Sequence, residues 1–449
     1  MSSSITTSPS SVWTSYEKII FRVFFIYFFI QAVPLDWKYY QQLFSINWSQ
    51  LHYGDIFNLA HYMPQFFSGA QTYANWAIAF GIALPGAAIW TYAERNRERD
   101  YNYLYYLIRS IVRYRLAIAI IAYGFLKFFP LQAPYPSISN LNTDYGDFNR
   151  WKLFSLSLGI VPGYELFLGA VEIVFGLLLL YRKTASISAF LILIFAGNVF
   201  VSNIAYDGGE EVYSLYLISF ALFILAYDIQ RIFNLIILQR PTAPNKYKPS
   251  FTVAWQKYAR LTLKAGVVLF FVVLYGFKTG ANYKTDPYQY PRAKGLEGWS
   301  GIYNVSEFKL NDQSVPYSIT DPVRWKDVVF EEWNTISIRS NRPVILDSTN
   351  VDHAYTDDAH RTYELEGSAG RHYYSYEVLP STQELVLNNR NKHYKGEMIR
   401  LKYLKEGNHI TLTGTDQNND AVYVVLDKIN KKYLLEEAAK QGRRRGLKL

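Results

Sequence analysis

Between Arg115 and Asp228 the chain carries four apolar runs, each close to the length that a helix needs to cross a hydrocarbon core of roughly 30 Å. They read YRLAIAIIAYGFLKFFP, GYELFLGAVEIVFGLLLLY, ASISAFLILIFAGNVFVSNIAY and YSLYLISFALFILAYDI. A chain built around such a stretch is a multi-pass helical membrane protein. Any chemistry in that part of it must be argued from the few polar side chains left inside lipid.

Three further runs extend the pattern. Residues 19–35 and 76–92 precede the four, and residues 261–278 follow them, so seven crossings are predicted. Residues 36–73 are aromatic without being continuously apolar, which predicts short amphipathic helices lying at the interface. The excess of Tyr (39) and Phe (29) suits such interfacial belts. Arg95, Arg97, Arg99, Arg109, Arg113 and Arg115 crowd one loop, Arg182 and Lys183 another, and Arg231, Arg240, Lys246, Lys248, Lys257, Arg260 and Lys264 a third. The alternate loops are poor in Lys and Arg. Basic residues next to membrane helices are retained in the cytoplasm, so the N-terminus is placed inside and the chain after the seventh crossing outside. The basic tail, with Lys440, Arg443, Arg444, Arg445 and Lys448, opposes that charge rule, but long folded domains translocate largely regardless of charge. Such a tail suits anionic headgroups or an acidic partner. The opening MSSSITTSPSS lacks the basic region and cleavage site of a signal peptide and reads as a short disordered head.

After about residue 280 the hydrophobic period changes to two. The segments GIYNVSEFKL, WKDVVFEEW, TISIRS, RTYELEG, HYYSYEVL, QELVLNN, MIRLKYLK, HITLTG and AVYVVLDKI alternate apolar and polar residues and are separated by turn pairs such as Asn311-Asp312 and Thr415-Asp416. That pattern predicts an antiparallel sheet of eight to ten strands, closed as a lipocalin-like β-barrel or folded as a sandwich, with the barrel preferred. Domain limits follow: a head at 1–15, two crossings with an external loop at 16–106, a four-helix bundle at 107–236, a basic connector and seventh helix at 237–280, the β domain at 281–435 and the tail at 436–449.

The residues Tyr123-Gly124 and Lys127, then Glu172 followed by Gly176 and a Leu run, then the turn Arg182-Lys183-Thr184, resemble the DoxX/DoxD-like family of four-helix membrane proteins over roughly residues 107–235. The first helix, with Arg22 inside FRVFFIYFF, is similar to the helical membrane domain of vitamin K-dependent carboxylases. Seven crossings followed by a β domain look like the larger DoxX-type proteins of Gram-negative Bacteroidota. The resemblance implies a bacterial inner-membrane protein with a periplasmic β domain. It also implies assembly with membrane or envelope proteins and, in some members, service as the membrane subunit of a quinone-linked oxidoreductase.

Lys127, Glu165 and Glu172 are the polar residues singled out inside the predicted crossings. Glu165 and Glu172 are seven apart and share a helical face. Two readings stand side by side: snorkelling or structural ion pairing on one hand, proton handling beside a quinone-like ligand on the other. Asn198 and Asn203 suit helix packing or a hydrogen bond to a quinone carbonyl. Asp228 is expected to pair with Arg22 or Arg115. With no Cys and no His in any predicted crossing, neither a thiolate redox centre nor paired haem ligands are expected. His353, Asp357, Asp358 and His360 cluster in sequence but without regular spacing, so no metal site is assigned. Nucleic acid is not an expected partner, because no aromatics are interleaved with the basic residues. The favoured expectation is a membrane subunit or scaffold that docks partner proteins through its β domain. A component of a quinone-linked oxidoreductase and a small-molecule or ion transporter are the alternatives.

Overall fold

The computed structural model describes residues 13–66, 72–95, 99–242, 247, 253–286, 289–347 and 357–441. The Arg443–Arg445 tail, Arg97, Lys246, Lys248 and His353 lie outside the described residues. The chain divides into two compact units. One holds the residues up to Phe125 with Ala170–Ala205 and Gly209–Thr279, and the other holds Leu126–Gly169, Tyr206–Gly208 and the residues from Gly280 on.

The first unit is helical. Ser15–Ala32 opens with a capping box, in which the Thr14 hydroxyl accepts from the Glu17 amide and the Glu17 carboxylate accepts from the Thr14 amide. This helix packs along Tyr73–Ala93, and Ala185–Ala205 packs along Glu211–Ala226. Among the described residues, five helical stretches are long and apolar enough to cross a membrane: Ser15–Ser45, Tyr73–Ala93, Pro162–Leu180, Ala185–Ala205 and Ala254–Thr285. A sixth arises if Glu211–Ala226 and Ile229–Ile236, bent by 71°, are taken as one span. Their outer faces are apolar and uncovered, as at Phe80, Ile89, Phe167, Phe190 and Ile194. The remaining expected crossing, the third in chain order, falls in helix Tyr101–Phe128, whose 28 residues span about 42 Å. Its first 15 residues carry Arg109, Arg113 and Arg115, and that charge separates it from the other spans. Two of those charges have partners within the unit. Arg109 reaches Asp228 at 3.4 Å and Ser186 at 3.0 Å, and Arg115 donates to the Tyr62 carbonyl. Asp228 therefore pairs with Arg109 rather than with Arg22 or Arg115. Arg22 instead joins Tyr101 (2.9 Å), Thr91 (2.6 Å) and Glu94 (3.4 Å) in a buried polar knot.

Among the described residues the second unit is built on nine strands: β1 (Gly301–Leu310), β2 (Gln313–Ser314), β3 (Asp327–Phe330), β4 (Thr335–Arg339), β5 (His372–Leu379), β6 (Glu384–Asn389), β7 (Met398–Glu406), β8 (His409–Thr415) and β9 (Ala421–Lys428). From β3 to β9 each strand pairs antiparallel with the next. β1 then pairs with both β3 and β9, so eight strands close into an up-and-down barrel with β2 as a short flap on β1. The barrel expectation holds and the sandwich is set aside, because the β1–β9 pairing leaves no second sheet. Asn311 and Asp312 both take positive φ (50° and 64°), as a tight hairpin between β1 and β2 requires.

Period-two alternation fills the barrel interior. Val328 and Phe330, Ile336 and Ile338, Leu385 and Leu387, Ile410 and Leu412, and Val422, Val424 and Leu426 all enter one buried core. On β1 the inward series runs Tyr303, Val305, Phe308. The three-residue step marks a bulge between Val305 and Glu307, which restores the phase after one extra residue. Trp299 packs edge-on against Phe330 and Tyr403 and closes one end of the barrel. Eight of the nine alternating segments read from the sequence are barrel strands. The ninth, RTYELEG, is a turn with no ladder partner, and its Tyr363 to Gly367 stretch is buried throughout.

Candidate functional site

Strands β6 to β9 alternate between buried and more exposed residues, but β3, β4 and the first half of β5 are buried on both faces. Their outer face is covered by the short helix Ile138–Leu141 and by the 361–371 segment, on which the helix Arg150–Gly159 of the same unit packs. The cover is held by charge.

Asn149 starts the second helix as its N-cap, accepting from the Lys152 amide at 2.8 Å, and its own amide donates to the Gly367 carbonyl at 2.8 Å. Gly367 has φ +67°, and a Cβ there would meet the Lys152 Cβ at 2.8 Å. Only glycine fits this approach. Gly367→Ala is expected to lower the stability of the barrel unit by about 1–2 kcal/mol from the backbone alone, with the contact adding to it. Melting of the full chain in nanodiscs checks this, and an unchanged transition would contradict it.

Anchored this way, Lys152 is fully buried. Its Nζ donates to the Tyr363 carbonyl and lies 3.4 Å from the Tyr363 ring centroid. The Tyr363 hydroxyl and Ser155 Oγ share a 2.7 Å hydrogen bond. Burial pushes the Lys152 ammonium down to about 7, against the pull of Glu366 and Glu364. Glu364 has no exposed surface. It accepts from Trp333 Nε1 at 2.8 Å and is ion-paired with Arg390. Arg390 also donates to Thr335 Oγ1 (2.9 Å) and to the Arg361 carbonyl. Glu366 accepts from Thr362 Oγ1 at 2.5 Å, and burial raises its carboxyl to about 7.

A second strand of the network starts at Glu331, just past β3. Its carboxylate caps the helix Ile138–Leu141, accepting from the Ser139 amide (2.7 Å), the Ser139 hydroxyl (2.5 Å) and the Ile138 amide (3.2 Å). Burial, then the Glu364 charge, raise it to about 7 although those donors pull it down. Ser139 Oγ continues to Ser337 Oγ (2.7 Å), Ser337 accepts from Arg371 Nε (2.8 Å), and Arg371 Nη2 reaches Asp327 at 2.5 Å. Arg361 is paired with Asp286 at 2.6 Å.

Taken together, one lysine, three arginines and three glutamates are buried between the outer barrel wall and its cover. Lys152, Glu364 and Glu366 show no exposed surface, and Glu331 and Arg371 show 1%. Buried charges persist only where they are paired and hydrogen-bonded, and here the partners come from both sides of the seam. Closed as it stands, the cluster is a clamp with groups poised to exchange protons near neutrality.

The residues singled out in the sequence lie elsewhere. Glu165 is buried, accepts from the Ala133 amide at 3.0 Å and feels the Lys127 charge. Glu172 is buried where helices Tyr101–Phe128 and Pro162–Leu180 cross, and a Cβ on Gly124 would meet its Cβ at 3.1 Å. Asn203 donates to the Val199 carbonyl (3.0 Å) and to Ser214 (3.4 Å), which is helix-packing chemistry, and Asn198 is exposed. Asp358 accepts from the Arg292 and Ala293 amides and faces Arg361, while Asp357 pairs with His360. Among the described residues no group of three or more His, Asp or Glu side chains is arranged to hold a metal ion. Lys152 was countable in the sequence only as one more loop charge. The available signal was the pair of acid-rich, aromatic-flanked segments FEEW and YELEG, whose glutamates needed cationic partners once buried.

No protein-family model, curated protein or solved structure matches this chain.

Proposed function

We propose that the chain is a DoxX-like scaffold subunit of the bacterial inner membrane, with seven crossings, a cytoplasmic N-terminus and a periplasmic barrel that docks membrane or envelope proteins. The observation that carries this reading is the clamp. The barrel unit uses its buried charges to hold its own cover rigidly and leaves no reacting group of that cluster open to a substrate. A rigid module on a helical anchor is what docking needs, since preorganised surfaces lose least on binding. The crossing by helix Tyr101–Phe128 is supported by the pairing of Arg109 and Arg115 inside the helical unit, because charges in membrane helices are retained where they have partners.

The absence of cysteine makes the topology simple to test. Ser381→Cys, on an exposed barrel turn, is expected to react with a membrane-impermeant maleimide from the periplasmic side. Gln239→Cys, after the sixth helix, is expected to react only once the inner membrane is opened. The reverse pattern would place the barrel in the cytoplasm and end this proposal. Extraction into native-like lipid discs is then expected to retain a membrane or envelope protein in fixed ratio. A chain recovered without a partner but with stoichiometric quinone, identified by mass spectrometry, would instead favour the oxidoreductase component.

A further inference from the structure

The two ends of the barrel differ. Trp299 and Tyr403 fill one end, whereas the other is bounded by the close of β1, β4 and β8 and the start of β5, β7 and β9. At that second end lies a cavity of about 300 Å³, at the lower limit of ordinary small-ligand pockets. Its floor is apolar, formed by Phe308, Trp325, Ile338, Ile399 and Val422. One wall is polar. Arg342 grips Glu397 through two hydrogen bonds, at 2.9 and 2.5 Å, and Tyr374 donates to the same carboxylate at 2.5 Å. The wall therefore presents a neutralised pair rather than a free cation.

His372 completes that wall. It is 4% exposed, yet its Nε2 is buried with no hydrogen-bond partner among the described residues. Burial and the Arg342 charge hold the imidazole down to about 4, so it is neutral at physiological pH, and the ring also hydrogen-bonds the Arg342 backbone. A neutral imidazole that donates one N–H to a carbonyl presents its other nitrogen as an acceptor. A buried acceptor without a protein partner, in a side chain that lines a cavity, is a costly arrangement, which a ligand hydroxyl relieves.

We infer that this barrel mouth is a binding site for a small neutral alcohol, aliphatic or phenolic, whose apolar body lies on Trp325 and Ile399 and whose hydroxyl donates to His372 Nε2. An anion is disfavoured because Glu397 already occupies Arg342. A plain hydrocarbon leaves the imidazole unsatisfied. The site is independent of the docking role proposed above and of the clamp on the outer wall.

The test uses the full chain in nanodiscs, with empty nanodiscs as the partition control and 2-naphthol and naphthalene as paired probes, read by equilibrium dialysis. One equivalent of 2-naphthol is expected to bind, about tenfold more tightly than naphthalene, the factor that one net hydrogen bond supplies. His372→Phe is expected to remove that discrimination. Val422→Phe, which adds bulk to the cavity floor, is expected to weaken both probes by tenfold or more and serves if the histidine variant does not fold. Equal affinity for the two probes, binding no greater than to empty discs, or discrimination that survives in His372→Phe would each overturn the proposal. So would undiminished binding to Val422→Phe.

Discussion

Arg390→Leu is expected to loosen the barrel cover by about 3–5 kcal/mol, because it strands the fully buried Glu364 carboxylate. The guanidinium holds Glu364, Thr335 and the Arg361 carbonyl at once, and its removal leaves Glu364 with the neutral Trp333 indole and Thr335 hydroxyl as donors. Tyr363 to Gly367 depend on that anchor, and Asn140 Nδ2 is tied to the Glu364 carbonyl at 2.9 Å. Hydrogen exchange of the full chain should therefore show the amides of 361–367 and 138–142 losing roughly two to four orders of magnitude of protection. The double variant Arg390→Leu with Glu364→Gln removes the stranded charge and should recover a large part of the loss. Arg400→Leu, on the exposed face of β7, is the control and should change protection by no more than about 0.5 kcal/mol. A fall of less than tenfold in the single variant, or a double variant no better than it, would show that the ion pair does not hold the cover.

The barrel was largely readable from the sequence, because a period of two survives in each strand whatever its partners are. Closure was the preferred reading but left the sandwich open, since the Val305–Leu426 pairing joins residues far apart in the chain and leaves no local mark. RTYELEG misled for a specific reason. Its alternation of Tyr363 and Leu365 with Glu364 and Glu366 mimics a half-exposed strand, but the glutamates face Lys152 and Arg390 rather than water. Gly367, with its positive φ, then carries the chain into contact with Asn149 instead of into a ladder. The candidate residues were missed for a related reason. Hydropathy draws the eye to a charge inside an apolar run, as with Lys127 and Glu172, and treats a lysine in a polar loop as solvated. Lys152 became a buried ion only through tertiary packing, which is also what gives Glu331 and Glu366 their raised proton affinity.

That proton affinity leads to a pH profile with a minimum near neutrality. Glu331 and Glu366 keep their protons up to about 7 in the folded chain, against 4.5 for the free carboxyl. Below pH 4.5 they are protonated whether the chain is folded or not, and their contribution is fully present. As pH rises from 4.5 to 7 the unfolded chain sheds the proton first, so this stability is lost, on the order of 3 kcal/mol for one such carboxyl. Lys152 acts in the opposite sense. Its folded value of about 7 lies below the free 10.5, so its contribution is present above pH 10.5 and is lost as pH falls through 7. Both losses are complete around pH 7. Protection of the 138–142 and 361–367 amides, corrected for intrinsic exchange, should thus be at least tenfold higher at pH 5 than at pH 7.5. Glu331→Gln should flatten that difference at 138–142, because an amide retains an acceptor for the Ser139 and Ile138 donors but does not titrate. Protection that rises between pH 5 and 7.5 would mean that the carboxylates gain more from Lys152 and the arginines than burial takes away, and the clamp would then be strongest at neutral pH.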